Sequence, residues 1–330
     1  MNLGKLRQEW PIPEPWSVRS ITTGINNLTQ TIETPAGVYI LRTYRSDRSL
    51  AQIRYELNLL SILQQKNLPF QIPAPIPTAA GELFAVLDGK FITMVSHLSG
   101  SMPENDNLEQ AYAAGQALAE LGKVLADFQV ETRLPPGAFP PSNDFEGWAG
   151  VPVNPWELIQ KLALTKEEQK QTIALLENTR GFASSLYRTL PQQIIHRDYD
   201  QSNILMEGNS VTGVLDFEFS GPDLRILDLA YALSQWPAGF WNTGKEWAII
   251  DAFGKGYLER QRLPSVELER LPDVFRLRAA TSLYFRLGRY QQGLETVESI
   301  VEQLHDALQL DWWLETHKEA LLGQIRSWCS

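Results

Sequence analysis

Ile194-Ile195-His196-Arg197-Asp198-Tyr199-Asp200-Gln201-Ser202-Asn203-Ile204-Leu205 is followed closely by Val214-Leu215-Asp216-Phe217-Glu218. The first run carries the H-R-D-x-x-x-x-N spacing of a phosphoryl-transfer loop. The second sets an aspartate behind two apolar residues, thirteen positions beyond Asn203. Phosphoryl transfer needs a carboxylate to orient the attacking hydroxyl, which Asp198 supplies. It also needs oxygen ligands for Mg²⁺ beside the phosphates, and Asn203 and Asp216 offer a neutral and a charged one. Each residue has a plainer reading. Asp198 is also suited to an Asx turn, and Asn203 to the turn before a strand. Asp216, between Leu215 and Phe217, would otherwise be a poorly paired buried charge. Together the spacing favours chemistry. His196 reads as a packed anchor of the loop. Asp228 reads as an acceptor of backbone N–H bonds, at a helix start or across to the loop.

The elements around this strip extend the argument. Ile204–Met206 and Val211–Leu215 bracket Glu207-Gly208-Asn209-Ser210 and predict a hairpin, which folds Asp216 back beside Asn203. Gln193–Ile195 predicts a short strand into the loop. Upstream, Ser17–Ile21, Leu28–Glu33 and Val38–Arg42 read as strands, and alternation puts Val38, Ile40 and Arg42 on one face. Leu50, Ile53, Leu57, Leu60 and Leu63 recur with a helical period over residues 49–64. Leu83–Leu87 and Phe91–Val95 flank an Asp-Gly turn as a further hairpin. The fold class expected is therefore α+β: a two-lobed, protein-kinase-like chain. Its N-terminal lobe is a five-stranded antiparallel sheet with one helix, and its C-terminal lobe is mainly helical. Residues 1–16, rich in Pro and Trp, read as an extended arm on a nucleotide-binding lobe spanning 1–96. Residues 97–101 read as a hinge, and 102–330 as the catalytic and substrate-binding lobe. Within the latter, 107–128 has a strong helical period. Residues 131–155 read as a long irregular segment. Thr165 and Glu168 form a capping box that opens a helix to about Tyr187, and helices follow from Asp228 onward.

Arg42 ends its strand on the Ile40 face, where its planar fork would grip nucleotide phosphates while Ile40 meets the base. Glu56, on the next helix, would hold it. Alone, each reads as an ordinary surface charge; beside the downstream motif, function is favoured. Gly24 and Asn27 belong to a candidate phosphate loop, although a plain hairpin turn competes. Asp200 and Glu218 are extra carboxylates beside the motif. Facing an acceptor, they would suit a cationic group; otherwise Asp200 is solvated and Glu218 pairs with an arginine such as Arg225. Trp236 is a candidate wall of the acceptor pocket, with burial in the core as the alternative.

Bulk composition sets limits. The chain has 330 residues, 43% hydrophobic and 21% charged, with a net charge of −10. Those proportions describe an ordinary folded protein. The negative charge argues against nucleic acid or an anionic membrane as partner. One cysteine, Cys329, excludes an internal disulfide and suits a reducing cytoplasm. MNLGKLRQEW lacks the apolar core of a signal peptide, and no run is long and apolar enough to span a bilayer. The absence of CxxC, HExxH and GxSxG argues against zinc or serine-hydrolase chemistry.

IIHRDYDQSNIL and VLDFEFSGPDLRILDLAYAL together resemble the aminoglycoside phosphotransferase-like family. That group includes type II homoserine, choline, ethanolamine, fructosamine and methylthioribose kinases. TTGINNLTQTIETPAGVYILRTY is similar to its phosphate loop and third strand. GQALAELGKVLADF is similar to its helix after the hinge, with Phe128 where histidine is common. The resemblance implies transfer of the γ-phosphate of ATP, sometimes GTP, with Mg²⁺, to a hydroxyl of a small molecule. It implies that Asp198 is catalytic, that Asn203 and Asp216 hold magnesium, and that Arg42 pairs with Glu56. The acceptor implied is homoserine-, choline- or aminosugar-like. A monomer and a homodimer stay equally open. Arg197 departs from the family's usual H-G-D or H-N-D. The H-R-D form is that of protein kinases, yet no activation segment fits between Asp216 and Asp228, which ranks a protein kinase lower. A catalytically silent nucleotide-binding protein on the same fold is the other alternative.

Overall fold

The computed structural model describes residues 3–21, 28–131 and 136–328. Gly24 and Asn27 lie outside the described residues. The chain opens with α1 (Leu3–Glu9), then β1 (Ser17–Ile21), β2 (Leu28–Thr34), β3 (Gly37–Thr43), α2 (Leu50–Leu63), β4 (Ala85–Leu87) and β5 (Lys90–Ser96). The five strands form one antiparallel sheet in the order β1-β2-β3-β5-β4. Alternation in β3 sorts its residues as expected. Leu41 is buried in an apolar cluster with Leu6, Trp10, Ile32 and Met94, while Ile40 and Arg42 face the other way.

The N-terminal arm differs from the extended segment expected. Leu3–Glu9 is helical, so the described residues of this lobe carry two helices, not one. Leu6 and Trp10 are fully buried, and the Trp10 indole donates to the Ile76 carbonyl at 2.8 Å. The short helix exists because it closes the outer apolar face of the sheet. Tertiary packing outweighs the weak intrinsic stability of seven residues.

α2 is opened by a capping box between Ser49 and Gln52 and buries Ile53, Leu57 and Glu56. After β5 come α3 (Leu108–Glu131), α4 (Phe145–Ala149), α5 (Pro155–Lys161) and α6 (Lys166–Thr189). The Thr165–Glu168 capping box is present as expected. The 131–155 stretch is less irregular than expected: Asp144 caps α4, and Phe145 and Trp148 bury their rings. The chain continues through β6 (Gln192–Ile195), β7 (Ile204–Glu207), β8 (Ser210–Val214) and β9 (Gly221–Leu224). It ends in α7 (Leu227–Gln235), α8 (Lys245–Arg260), α9 (Ser265–Leu268), α10 (Leu271–Gln291) and α11 (Val297–Ser327). β7 and β8 are the expected hairpin, and β6 pairs with β9. α3 and α8 touch backbone to backbone. A Cβ on Gly115 would lie 2.1 Å from the Phe253 carbonyl oxygen, and one on Gly256 2.0 Å from that of Tyr112. No helix among the described residues is long and apolar enough to cross a membrane.

Candidate active site

β6 delivers the chain from the C-terminal core to His196, and the β7–β8 hairpin returns it at Leu215. Immediately after each of these points a non-glycine backbone position is left-handed: Arg197, with φ of 68°, and Asp216, with φ of 55°. Non-glycine residues rarely adopt this region and hold it only where surrounding bonds impose it. Those bonds are present. Asp228, in the first turn of α7, accepts from the His196 amide at 2.8 Å and the Arg197 amide at 2.6 Å. The His196 ring is wholly buried. Its Nε2 meets the Leu215 carbonyl at 2.9 Å, and its Nδ1 accepts from the Asp198 amide at 3.2 Å. One imidazole thus ties the loop to the end of the hairpin. Burial holds it neutral, with its pKa lowered to about 4. Burial raises Asp228 to about 6, against the pull of its two amide bonds.

Asp198, Asn203 and Asp216 line a cleft of about 810 Å³, together with Asp200, Arg42, Glu56 and Ile40. Asn203 Nδ2 donates to the Asp198 carbonyl at 2.8 Å and to Asp198 Oδ2 at 3.1 Å. That commits its amide hydrogens and leaves the amide oxygen as the cation-binding end. Asp216 contributes a carboxylate, and hard oxygens of this kind suit Mg²⁺. The donor set therefore fits the metal that the motif implies. Burial, then Asp200 and Asp216, raise Asp198 to about 7, so this carboxyl is unusually ready to accept a proton near neutrality.

On the N-terminal side, Arg42 donates to Glu56 Oε1 at 2.7 Å and to Asp216 Oδ1 at 3.1 Å, with Glu218 Oε2 at 3.4 Å. Tyr44 donates to the other Glu56 oxygen at 3.1 Å. Burial works against the Arg42 charge, but Asp216 and Glu56 more than offset it, and its pKa is raised. Burial raises Glu56 to about 7, against Arg42.

Two expected acceptor-side residues are elsewhere. Glu218 is not among the cleft-lining residues. It is 6% exposed and pairs with Arg42 and, at 2.8 Å, with Arg48, whereas Arg225 pairs with Glu267. A buried carboxylate with two guanidiniums has nothing left for an acceptor amine. Trp236 is fully buried against Phe253, so it fills the core rather than a pocket. Two residues that the sequence did not suggest line the cleft beside Asp198. The Tyr231 hydroxyl bridges Asp198 Oδ1 at 3.1 Å and Asp200 Oδ2 at 3.2 Å. Arg278, on α10, stacks over the Tyr231 ring at 4.3 Å and brings a guanidinium nitrogen to 3.9 Å from Asp198 Oδ1. Tyr231 lies three residues beyond Asp228 on one helix face, a spacing that could have pointed to it. Arg278 sits in no recognisable motif.

Residues 17–267 match the model of the phosphotransferase enzyme family. The chain belongs to that family. A homoserine kinase of Methylorubrum populi is 27% identical over 332 residues, covering 97% of this chain and 94% of its own. An amicoumacin kinase solved in complex with AMP-PNP, Ca²⁺ and Ami aligns with a TM-score of 0.68 at 14% identity, covering 94% of this chain and 92% of its own. A microcompartment-associated aminopropanol kinase aligns with a TM-score of 0.67 at 18% identity, covering 97% and 98%. The family resemblance read from the motifs and the α+β, two-lobed, kinase-like fold are thus both borne out. This phosphotransferase is a small-molecule kinase with an alcohol group as acceptor.

Proposed function

We propose that the chain transfers the γ-phosphate of ATP, with Mg²⁺, to the hydroxyl of a small hydroxy amino acid. The observation that carries this reading is the pairing of opposite charges at the acceptor end. Asp198 and Asp200 stand there with Arg278, whose nearest carboxylate is 3.9 Å away and whose buried Nε has no hydrogen-bond partner. Its other nitrogens donate to the Ser282 hydroxyl and, at 3.4 Å, to the Arg197 carbonyl, so this guanidinium has no close carboxylate partner and suits an incoming one. Asp200 suits an amine. A choline- or aminopropanol-like acceptor would need the carboxylates but not the arginine. The homoserine kinases among the relatives accord with this choice.

In this reading Asp198 orients the acceptor hydroxyl and takes its proton. The acceptor oxygen bonds to the γ-phosphorus as the bond from that phosphorus to the bridging oxygen breaks, and ADP leaves. Tyr231 and Asn203 hold Asp198 from either side, so its free lone pairs face one direction. Arg42, braced by Glu56, neutralises the phosphates. Asn203 and Asp216 would hold Mg²⁺, which when bound spreads the negative charge of the phosphates. Residues 97–101 serve as the hinge between the nucleotide and acceptor lobes. The test is an ADP-release screen over hydroxy amino acids, amino alcohols, sugars and aminoglycosides, with products confirmed by mass spectrometry. Turnover of hydroxy amino acids, and little of carboxylate-free amino alcohols, is expected. Turnover confined to amino alcohols or sugars would overturn the acceptor, and failure to bind Mg-ATP would overturn the reaction.

A further inference from the structure

The segment between β3 and α2 reaches across to the C-terminal lobe. Asp47 accepts an ion pair from Arg289 of α10 at 2.6 Å, with the arginine side chain only 6% exposed. Arg48 pairs with Glu218 at 2.8 Å, with side-chain exposures of 8% and 2%. Its guanidinium carbon also lies 4.8 Å from the Phe139 ring and 4.9 Å from the Phe219 ring, beside two rings whose own centroids are 5.1 Å apart. The same junction is close enough to require glycine. A Cβ on Gly137, whose φ is +145°, would lie 2.1 Å from the Ala51 carbonyl oxygen at the start of α2. The lobes are therefore joined here as well as through the chain after β5.

The charges at this joint bear directly on Arg42. Three carboxylates surround it, at 2.7 Å (Glu56), 3.1 Å (Asp216) and 3.4 Å (Glu218). A guanidinium drawn equally to all three has less of its fork to offer a phosphate, and the excess negative charge would repel the nucleotide. Arg48 is the second cation of the cluster. It engages Glu218 more closely than Arg42 does, 2.8 Å against 3.4 Å. We propose that Arg48 is a positioning residue for nucleotide binding: it occupies Glu218 and so leaves Arg42 to Glu56 and the phosphates. The Asp47–Arg289 pair, one residue away, fixes Arg48 in register. This inference rests on the nucleotide reading of the Arg42 end of the cleft.

The two ideas separate in one calorimetric series on the full chain with Mg-ATP. Wild type must bind; if it does not, the nucleotide reading itself fails and the role of Arg48 with it. Arg48→Met, which keeps an unbranched side chain packed beside the two rings, should weaken binding about 10-fold. The acceptor KM should stay within about 2-fold of wild type. Arg48→Lys should recover most of the loss. The decisive arm is Arg48→Met with Glu218→Gln. Removing the carboxylate that Arg48 occupied should restore binding toward wild type, which a merely structural arginine would not do. Nucleotide affinity in Arg48→Met equal to wild type, or no recovery in the double variant, overturns the proposal. Should Arg48→Met not fold, Glu218→Gln alone still decides. It should tighten Mg-ATP binding, because Arg42 loses a competitor; unchanged or weaker binding overturns the proposal.

Discussion

Arg278→Met is the perturbation that most directly tests how the acceptor is held. The unbranched thioether keeps the apolar stem packed on Tyr231, where the guanidinium carbon now lies 4.3 Å from the ring centroid. It removes the charge, together with the guanidinium's bond to the Ser282 hydroxyl. A hydrogen bond to a charged group contributes about 1.5–3 kcal/mol when its partner would otherwise be left desolvated. Converted at 1.36 kcal/mol per decade, that is a loss of roughly 10- to 150-fold in kcat/KM for an acceptor bearing a carboxylate. The same hydroxyl and amine without the carboxylate should lose little. The assay is ADP release with matched pairs, a hydroxy amino acid and the corresponding amino alcohol, on both proteins. Arg278 also reaches the Arg197 carbonyl at 3.4 Å, so it could instead be bracing the loop. In that case both acceptors would fall by the same factor, and an equal fall would refute carboxylate recognition.

If Asp198 takes the acceptor proton as proposed, Asp198→Ala should lower kcat by about 10²–10⁴ while leaving Mg-ATP affinity unchanged; stopped-flow ADP release with calorimetry checks both halves. Asp216→Ala should abolish the Mg²⁺ dependence of nucleotide binding, and a titration with and without the metal that gives the same ratio as wild type would exclude it as a ligand. His196 gives a pH prediction. Its pKa is held at about 4 in the folded protein by burial, against about 6.5 unfolded, so below the higher value the unfolded chain takes up the proton. Stability is full above pH 6.5 and is lost progressively as pH falls toward 4. The loss from this one group is about 2 kcal/mol between pH 7 and pH 5. Urea unfolding at both pH values should show that much less pH dependence in His196→Gln, whose amide still reaches toward Leu215.

The parts of the site that the sequence discloses are those held by local geometry. Asp198 and Asn203 share one loop, and a single hairpin returns Asp216, so spacing alone fixes their neighbourhood. Arg42 and Glu56 are similar, because a strand residue facing the cleft meets the next helix after one short connection. The acceptor end is different. Tyr231 and Arg278 come from two helices whose relative placement depends on packing across the whole lobe. No local spacing connects Arg278 to Asp198. Glu218 pairs with arginines, the alternative left open for it, but the partner was out of reach of local spacing: Arg42 and Arg48 enter from the other lobe, while Arg225, close in sequence, turns away to Glu267. For Trp236 two readings stood open, because an aromatic beside a motif looks the same in sequence whether it faces a pocket or the core; it is buried in the core. The helix of α1 was hidden by the Pro-rich residues after it; what stabilises it is the sheet face it covers.

The family's usual glycine or asparagine between the histidine and the aspartate has a physical reason here. That position has φ of 68°, which costs an ordinary L-residue about 1–2 kcal/mol. This chain has Arg197 there, so something must offset the strain. The guanidinium is 2% exposed, forms an ion pair with Asp223 at 2.9 Å and donates to the Phe139 carbonyl at 3.1 Å. Asp223 in turn accepts from the Ser142 amide at 3.0 Å and its hydroxyl at 2.8 Å. One side chain therefore ties the loop carrying Asp198 to β9 and to the segment that leads into α4. Phe139 belongs to that same segment and is one of the two rings around Arg48, while the other, Phe219, follows Glu218 directly. The strained backbone at Arg197 and the joint between the lobes at Arg48 are thus two ends of one bonded unit. A glycine at 197 would relieve the strain but release the Phe139 end of it. The arginine is better understood as coupling the loop that carries Asp198 to the N-terminal lobe than as a trace of protein-kinase chemistry.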